Sequence, residues 1–175
     1  ISADGIRYEK SYRLASVAQR FGNQAAQESS PAVWISIAGS RGSGLNKPLP
    51  AGNIRVYERD KASETFIGES RIGHTAAGHK IDISIGRAFD VSANRIQTSF
   101  QRFGEREAEV GYRIEMTNDK PESVVVSVEE QLTGDWTIIS ESQKGTKRDS
   151  MTYVFELKVP SQSSTELEYS VRFKW

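Results

Sequence analysis

The chain has 175 residues, of which 23 are lysine or arginine and 23 are aspartate or glutamate, so its formal net charge is zero. This balance argues against nucleic acid as the main partner and against a polybasic membrane attachment, because both need a basic excess. Cysteine is absent, which excludes disulfides, thiolate nucleophiles and thiolate metal ligands.

Short β-branched segments dominate the first half of the sequence. Predicted strands, bounded by Gly and Pro, cover residues 6–14, 33–37, 54–57, 66–72 and 81–85. Within the fourth of them, Gly68 marks a bulge or a point where another backbone approaches closely. The polar segments 22–30 and 39–47 are predicted to be exposed loops.

One stretch competes with this β pattern. Leu14, Val17, Ala18 and Phe21 have helical spacing, and Gly22 follows them in the position of a C-cap. We therefore allow one short helix there, and no helix longer than two or three turns elsewhere.

The C-terminal part alternates most regularly. Predicted strands cover residues 112–116, 124–128, 136–139, 153–159 and 167–175. Apolar side chains on every second residue indicate half-buried strands, because successive side chains point to opposite faces of a sheet. We expect the core to contain Trp136, Phe155, Leu157, Tyr169, Val171 and Phe173, and Trp175 shares their spacing.

Strands of this length joined by short turns are typical of a sandwich. The prediction is an all-β, antiparallel β-sandwich with at least nine strands in two packed sheets. Residues 1–175 are taken as one sandwich unit with two halves. Charged residues and Gly104 interrupt the apolar pattern at 101–106, where we expect a sub-boundary or a crossover.

No motif in the chain carries recognisable catalytic or metal chemistry. The glycine-rich segment 39–44 is followed by Pro48 and Pro50, which forbid the helix of a phosphate-binding loop, so it is interpreted as a flexible connector. His74 and His79 are five residues apart, which is wrong for two ligands on one helix face. No serine lies in a Gly-x-Ser-x-Gly elbow. We expect no enzyme activity, no cofactor and no metal.

If the chain has a site of its own, the surface around His74, Thr75, Arg87 and Asp90 is the prediction, because the β pattern does not require these polar residues. In a hairpin the two pairs lie about five residues apart, roughly 17 Å, which is too far for one small-molecule pocket. We therefore expect Arg87 and Asp90 to form a structural ion pair, and His74 to be solvated or bonded to a loop carbonyl.

Four segments resemble a bacterial family of unknown function, the C-terminal domain of the mucoidy-inhibitor-A-like proteins. They are LNKPLPAGNIRVYERD (45–60), FIGESRIGHTAAGHKIDISIGRAFDV (66–91), YRIEMTNDKPESVVVSVEEQLTGDWTI (112–138) and YVFELKVPSQSSTELEYSVRFKW (153–175). The resemblance implies an immunoglobulin-like sandwich and the C-terminal piece of a longer protein, often one made with a signal peptide. It supplies no catalytic residues. The chain also begins at Ile1 rather than at a methionine, which favours a processed product or a piece.

These observations favour a non-catalytic, periplasmic or secreted interaction or structural module of a bacterial envelope protein. Its expected partner is a protein or a glycan, with self-association through a sheet edge as a further expectation. We expect no membrane span, because no apolar run approaches the roughly 18 residues that one needs. The alternative is a carbohydrate-binding or glycan-cleaving domain. Exposed tryptophans that line a groove would favour this alternative, and buried tryptophans would favour the interaction module.

Overall fold

The structure, a computed structural model, describes residues 6–39, 47–59 and 63–175. This part of the chain forms thirteen β-strands and no helix, so the protein is an all-β sandwich. Because no helix forms, the described residues contain no helical segment that crosses a membrane. The strands are β1 (Tyr8–Ala18), β2 (Gln27–Ser29), β3 (Ala32–Ile37), β4 (Gly52–Arg59), β5 (Glu64–Ile72), β6 (Ile81–Arg87), β7 (Val91–Arg102), β8 (Glu107–Asn118), β9 (Val124–Leu132), β10 (Asp135–Glu141), β11 (Thr146–Lys147), β12 (Thr152–Val159) and β13 (Ser163–Lys174).

The chain divides into two compact units. The smaller one comprises Ala32–Arg87 and the N-terminal residues up to Ser11, and the larger one comprises Tyr12–Pro31 and Ala88–Trp175. The larger unit is left at Pro31 and entered again at Ala88, and the Ala88 N–H donates to the Pro31 carbonyl at 2.9 Å.

The larger unit is built from two packed sheets. One has the strand order β11-β12-β9-β1 and the other the order β10-β13-β8-β7-β2. The pairs are antiparallel except β1 and β9, which run parallel from Tyr12↔Val126 to Ala18↔Leu132. The inward positions of each strand fill the space between the sheets, because the side-chain period of a strand is two.

The predicted core is confirmed at five positions and wrong at two. Phe155, Leu157, Tyr169, Val171 and Phe173 are all at most 3% exposed. Trp136 is only half-buried, because β10 is an edge strand and Lys147, 4.4 Å from the ring centroid, covers the indole from outside. Trp175 is 38% exposed, because it lies one residue beyond the end of β13.

The short helix allowed at residues 14–21 is wrong, because this stretch continues β1. Tyr12, Leu14 and Ala18 are buried at even positions, as a strand requires. Val17 and Phe21 complete the helical spacing, but they are 47% and 60% exposed, so they do not belong to an apolar helix face.

Two other segments of the larger unit form regular structure where their composition predicts a loop or a boundary. The predicted loop 22–30 contains β2, whose three polar residues pair with Ala93–Arg95 of β7. Residues 101–106 include the turn of a hairpin, since β7 and β8 pair as far as Arg102↔Ala108. Residues 40–46, most of the glycine-rich connector, lie outside the described residues.

The smaller unit contains two antiparallel pairs, β3 with β6 and β4 with β5. Its core consists of Ile35, Ile81 and Ile83, with Ile54, Val56 and Ile72 among the side chains packed against them. The prediction for Gly68 is confirmed in both senses. The register skips Ile67 opposite Val56 and Tyr57, which is a bulge, and a Cβ on Gly68 would collide with the carbonyl of Ile85.

Replacing Phe155 by alanine tests the packing of the larger unit. Phe155 is fully buried and contacts Tyr153 and Tyr169, so Phe155→Ala is expected to lower the free energy of unfolding by about 3–5 kcal/mol. Urea unfolding measures this change, with Val125→Ala as the control, because Val125 is 52% exposed on the adjacent strand. A loss as small as that of the control would show that this core is wrongly placed.

Candidate functional site

His74 and Thr75 lie together in the connection after β5. They line an open depression of about 510 Å³ with Pro48, Leu49, Pro50 and Ala76. Thr75 and Leu49 exchange two backbone hydrogen bonds, of 2.8 and 2.9 Å, which hold the two connections together. The Thr75 hydroxyl donates to the Gly73 carbonyl at 3.1 Å, so it serves its own turn.

The His74 ring is exposed and takes part in one backbone hydrogen bond. Its Nδ1 accepts from the Ala51 N–H at 3.3 Å, so the ring bonds to a loop N–H and not to the loop carbonyl that was one of the two expected arrangements, while its exposure agrees with the other, a solvated ring. A neutral imidazole that accepts at Nδ1 carries its proton on Nε2. Across the described ranges, no group of three His, Cys, Asp or Glu side chains is placed to hold a metal ion.

Arg87 and Asp90 belong to different units of the fold. Arg87 is exposed at the end of β6, in the smaller unit, and Asp90 precedes β7 in the larger one. Asp90 Oδ2 lies 3.5 Å from Lys120 Nζ, and the Asp90 carbonyl accepts from the Asp119 N–H at 2.8 Å. The expected ion pair between Arg87 and Asp90 stays a prediction. Between them, the Phe89 ring is 99% exposed.

A charged network lies in the core of the larger unit, between its two sheets. Arg95 on β7 donates to both carboxylate oxygens of Glu130 on β9, each at 3.1 Å. The two side chains are 5% and 0% exposed, so this bidentate pair is excluded from water. Ser16 donates to Glu130 Oε1 at 2.6 Å, and Arg95 Nη2 donates to the Tyr169 hydroxyl at 3.1 Å.

Tyr112 closes this network on the side of the chain segment that follows β1. The Arg95 guanidinium carbon lies 3.8 Å from the centroid of the Tyr112 ring, which is cation–π contact. The Tyr112 hydroxyl accepts from the Gln19 N–H and donates to the Gln19 carbonyl, both at 3.0 Å, and accepts from Gln24 Nε2 at 3.0 Å. The network therefore connects the core to the segment that carries Arg20 and Phe21.

The pKa shifts of this network agree with a structural role. Burial acts to lower the pKa of Arg95, but the facing Glu130 carboxylate outweighs it and raises that pKa above its ordinary value. Burial raises the pKa of Tyr169 well above its ordinary value and also raises that of Tyr112. The arginine thus stays charged and the phenols stay neutral, and the side chains of the ion pair are excluded from solvent.

The outer face of the second sheet carries a polar depression of about 520 Å³. Glu28, Asn94 and Glu115 face each other across β2, β7 and β8 in direct register and line it. The buried Asn94 Oδ1 accepts no hydrogen bond from the residues that the structure describes. An acceptor of this kind normally bonds to water or to a ligand.

The β7–β8 hairpin end of the larger unit presents a second surface, formed by Arg20, Phe21, Phe100, Phe103 and Trp175. We call this surface the aromatic end. Its rings are exposed by 60% for Phe21, 46% for Phe103, 43% for Phe100 and 38% for Trp175. Exposed rings are ordinary when scattered singly, whereas exposed rings that lie together make a surface a candidate for interaction.

Contacts join three members of the aromatic end, Arg20, Phe21 and Trp175. The Arg20 guanidinium carbon lies 4.9 Å from the centroid of the Trp175 ring and 5.5 Å from that of Phe21. The Trp175 N–H donates to the Arg106 carbonyl in the hairpin turn at 3.0 Å.

Further contacts place the two remaining rings. Phe100 packs so closely on Gly22 that an added Cβ there would lie 3.0 Å from the ring. The Arg172 guanidinium carbon lies 4.8 Å from the centroid of the Phe103 ring.

Neither the charged network nor the aromatic end was predicted from the sequence. The first left a signal, because Glu130 occupies an inward position of the alternation that runs through Val124, Val126 and Val128 to Leu132. The second left none, because its members come from three distant parts of the chain.

Comparison with known proteins found no family model, no curated protein and no solved structure that matches the chain. The assignment of a function therefore depends on the geometry described above.

Removing one partner of the buried pair tests its role. Glu130→Gln leaves the Arg95 charge buried without a carboxylate, so the free energy of unfolding is expected to fall by about 3–5 kcal/mol. Glu168→Gln is the control, because it breaks the exposed pair with Arg113 and should leave the free energy of unfolding almost unchanged. The double variant Arg95→Met/Glu130→Leu should recover much of the loss, and fully additive losses would contradict the pairing.

Tyr153 provides a test at alkaline pH. Burial, and then the hydrogen bond of 2.8 Å to Glu141, raise its pKa to about 12. The fold therefore favours the neutral phenol, and this contribution to stability is complete below pH 10 and lost as pH rises toward about 12. Phenolate absorbance and unfolding against pH should show a shallower alkaline loss for Tyr153→Phe than for the wild type. An unchanged profile, equal to that of the exposed-site control Tyr8→Phe, would contradict this.

Proposed function

We propose that this chain is a non-catalytic interaction module of a bacterial envelope protein, and that the aromatic end is its recognition surface. The observation that carries the proposal is the contact of two exposed rings, Phe21 and Trp175, with Arg20, at an end of the unit that also exposes Phe100 and Phe103. Trp and Arg are enriched among the residues that dominate binding energy at protein interfaces, and rings supply large contact areas at low entropic cost.

Two other charged groups of the larger unit are engaged in structural contacts. The Arg95–Glu130 pair is sealed in the core, and Asp90 is held by Lys120. The envelope location comes from the resemblance of four segments to the mucoidy-inhibitor-A-like family. Fractionation of cells that express the full-length gene product tests that part separately.

A carbohydrate-binding module is the second candidate. Half-buried Trp136 lines a small depression of about 210 Å³ beside Asp135 and Arg172, and a ring next to polar groups suits a sugar. One indole face is already occupied by Lys147, and the indole N–H donates to the Ser150 carbonyl at 2.9 Å. Both features leave less of this tryptophan for stacking, which is why the aromatic end is preferred.

Two matched double variants test the proposal. Phe21→Ser/Phe103→Ser removes rings from the aromatic end, and Tyr57→Ser/Phe66→Ser removes an exposed edge-to-face pair from the smaller unit. Binding to envelope extract of the source organism is quantified by mass spectrometry, together with a glycan array and a hydrolase screen. We expect a partner that the wild type and the second variant retain equally and that the first variant loses by about tenfold or more.

Other results of these assays contradict the proposal. Equal retention by all three proteins would mean that the aromatic end is not the recognition surface. If the chain cleaves a glycan and both variants keep this activity, the chain is an enzyme. Circular dichroism of each variant shows that its fold is kept.

A further inference from the structure

We propose that the aromatic end binds an acidic protein segment and that Arg20 receives one of its carboxylates. This inference rests on the proposed function, because it names the partner class for the same surface.

Arg20 differs in its contacts from Arg95 and Arg172, which are also at least half-buried in the larger unit. Each of those two arginines holds a carboxylate within 3.1 Å. Arg20 is half-buried and contacts two rings, but within residues 6–39, 47–59 and 63–175 it makes neither an ion pair nor a hydrogen bond. A guanidinium has five N–H donors, so this one keeps its full donor capacity.

The two rings hold this guanidinium in position. Trp175 and Phe21 lie 4.9 and 5.5 Å from its central carbon, which restricts the side chain before any ligand arrives. A fixed planar fork matches a carboxylate in two parallel hydrogen bonds, and restricting it in advance lowers the entropic cost of binding. The geometry is that of a carboxylate receptor with apolar walls.

The carboxylates near this end do not serve Arg20. Arg172 Nη2 binds Glu109 Oε2 at 2.8 Å, and Arg172 Nε lies 3.8 Å from Glu107 Oε1. The Arg102 guanidinium donates to the carbonyls of Gly104 and Glu105. Arg20 is therefore a cation at this end whose N–H donors an external carboxylate can accept from, and it is the one held between two rings.

The surroundings of Arg20 favour a protein over a glycan. Three of the four rings are phenylalanines exposed by 43–60%, a surface that suits apolar side chains. A segment that alternates acidic and apolar residues would satisfy the rings and the guanidinium together, and the charge would select among partners.

Synthetic peptides of equal length test this inference on the full chain. They share the same leucines and carry glutamate, glutamine or lysine at the remaining positions, and oligogalacturonate serves as the glycan probe. Binding is followed by NMR at the indole N–H of Trp175 and the Nε–H of Arg20. We expect the glutamate peptide to bind about tenfold more tightly than the glutamine peptide, and the lysine peptide to bind most weakly.

Variants separate the charge from the rings. Arg20→Gln should remove the preference for glutamate over glutamine, and Arg20→Lys should keep only part of it, because lysine has no planar fork. Arg71→Gln is the matched control, since Arg71 is exposed on β5 in the smaller unit, and it should leave the preference unchanged.

Three results would overturn the inference. Equal binding of the glutamate and glutamine peptides, lost in Phe21→Ser/Phe103→Ser, would leave the proposed recognition surface standing and remove the acidic partner. Tighter binding of oligogalacturonate than of the glutamate peptide would make the partner a glycan. Absence of any shift at Trp175 with the glutamate peptide would exclude Arg20 as its receptor.

Discussion

The larger unit depends on one buried ion pair, Arg95 with Glu130. A charge in a core is costly unless it is paired and hydrogen-bonded, and here the bidentate contact, Ser16 and Tyr169 meet that condition. The pair joins strands of opposite sheets. It therefore stabilises the one arrangement of the two sheets that brings its partners together, relative to other arrangements that bury a similar apolar area. Hydrophobic packing of Phe155 and its neighbours supplies stability, whereas the pair favours one alignment of the two facing sheets.

The same pair reaches the surface through one aromatic residue. Tyr112 stacks on the Arg95 guanidinium and bonds to the backbone of Gln19 through its hydroxyl. Gln19 immediately precedes Arg20 and Phe21. These two residues of the aromatic end therefore belong to a backbone segment that is hydrogen-bonded to the core. A recognition surface on an anchored segment loses less entropy on binding than one on a free loop.

Much of the fold was predictable, because alternation reports burial directly. The strands around Phe155 and Tyr169 follow a strict period of two, and both were assigned to the core correctly. The failures share a cause. The apolar residues concerned lie on an edge strand or at the end of a strand, where the sequence pattern does not tell whether another element packs over them. They are Trp136, Trp175 and the stretch ending at Phe21. The functional surfaces were harder, since Arg20, Phe103 and Trp175 meet only through the fold, while His74 and Thr75 were found together because they are neighbours in sequence.

The hydrogen bond between the Ala88 N–H and the Pro31 carbonyl has a consequence for engineering of the chain. The chain leaves the larger unit after Pro31 and re-enters it at Ala88, so these two points are neighbours, although the smaller unit also includes the residues up to Ser11. Segments whose two ends lie close together are the ones whose insertion or removal a domain tolerates best. A short turn in place of residues 32–87 would remove 56 of the 175 residues, and the remaining chain would still encode the ion pair and the aromatic end of the larger unit.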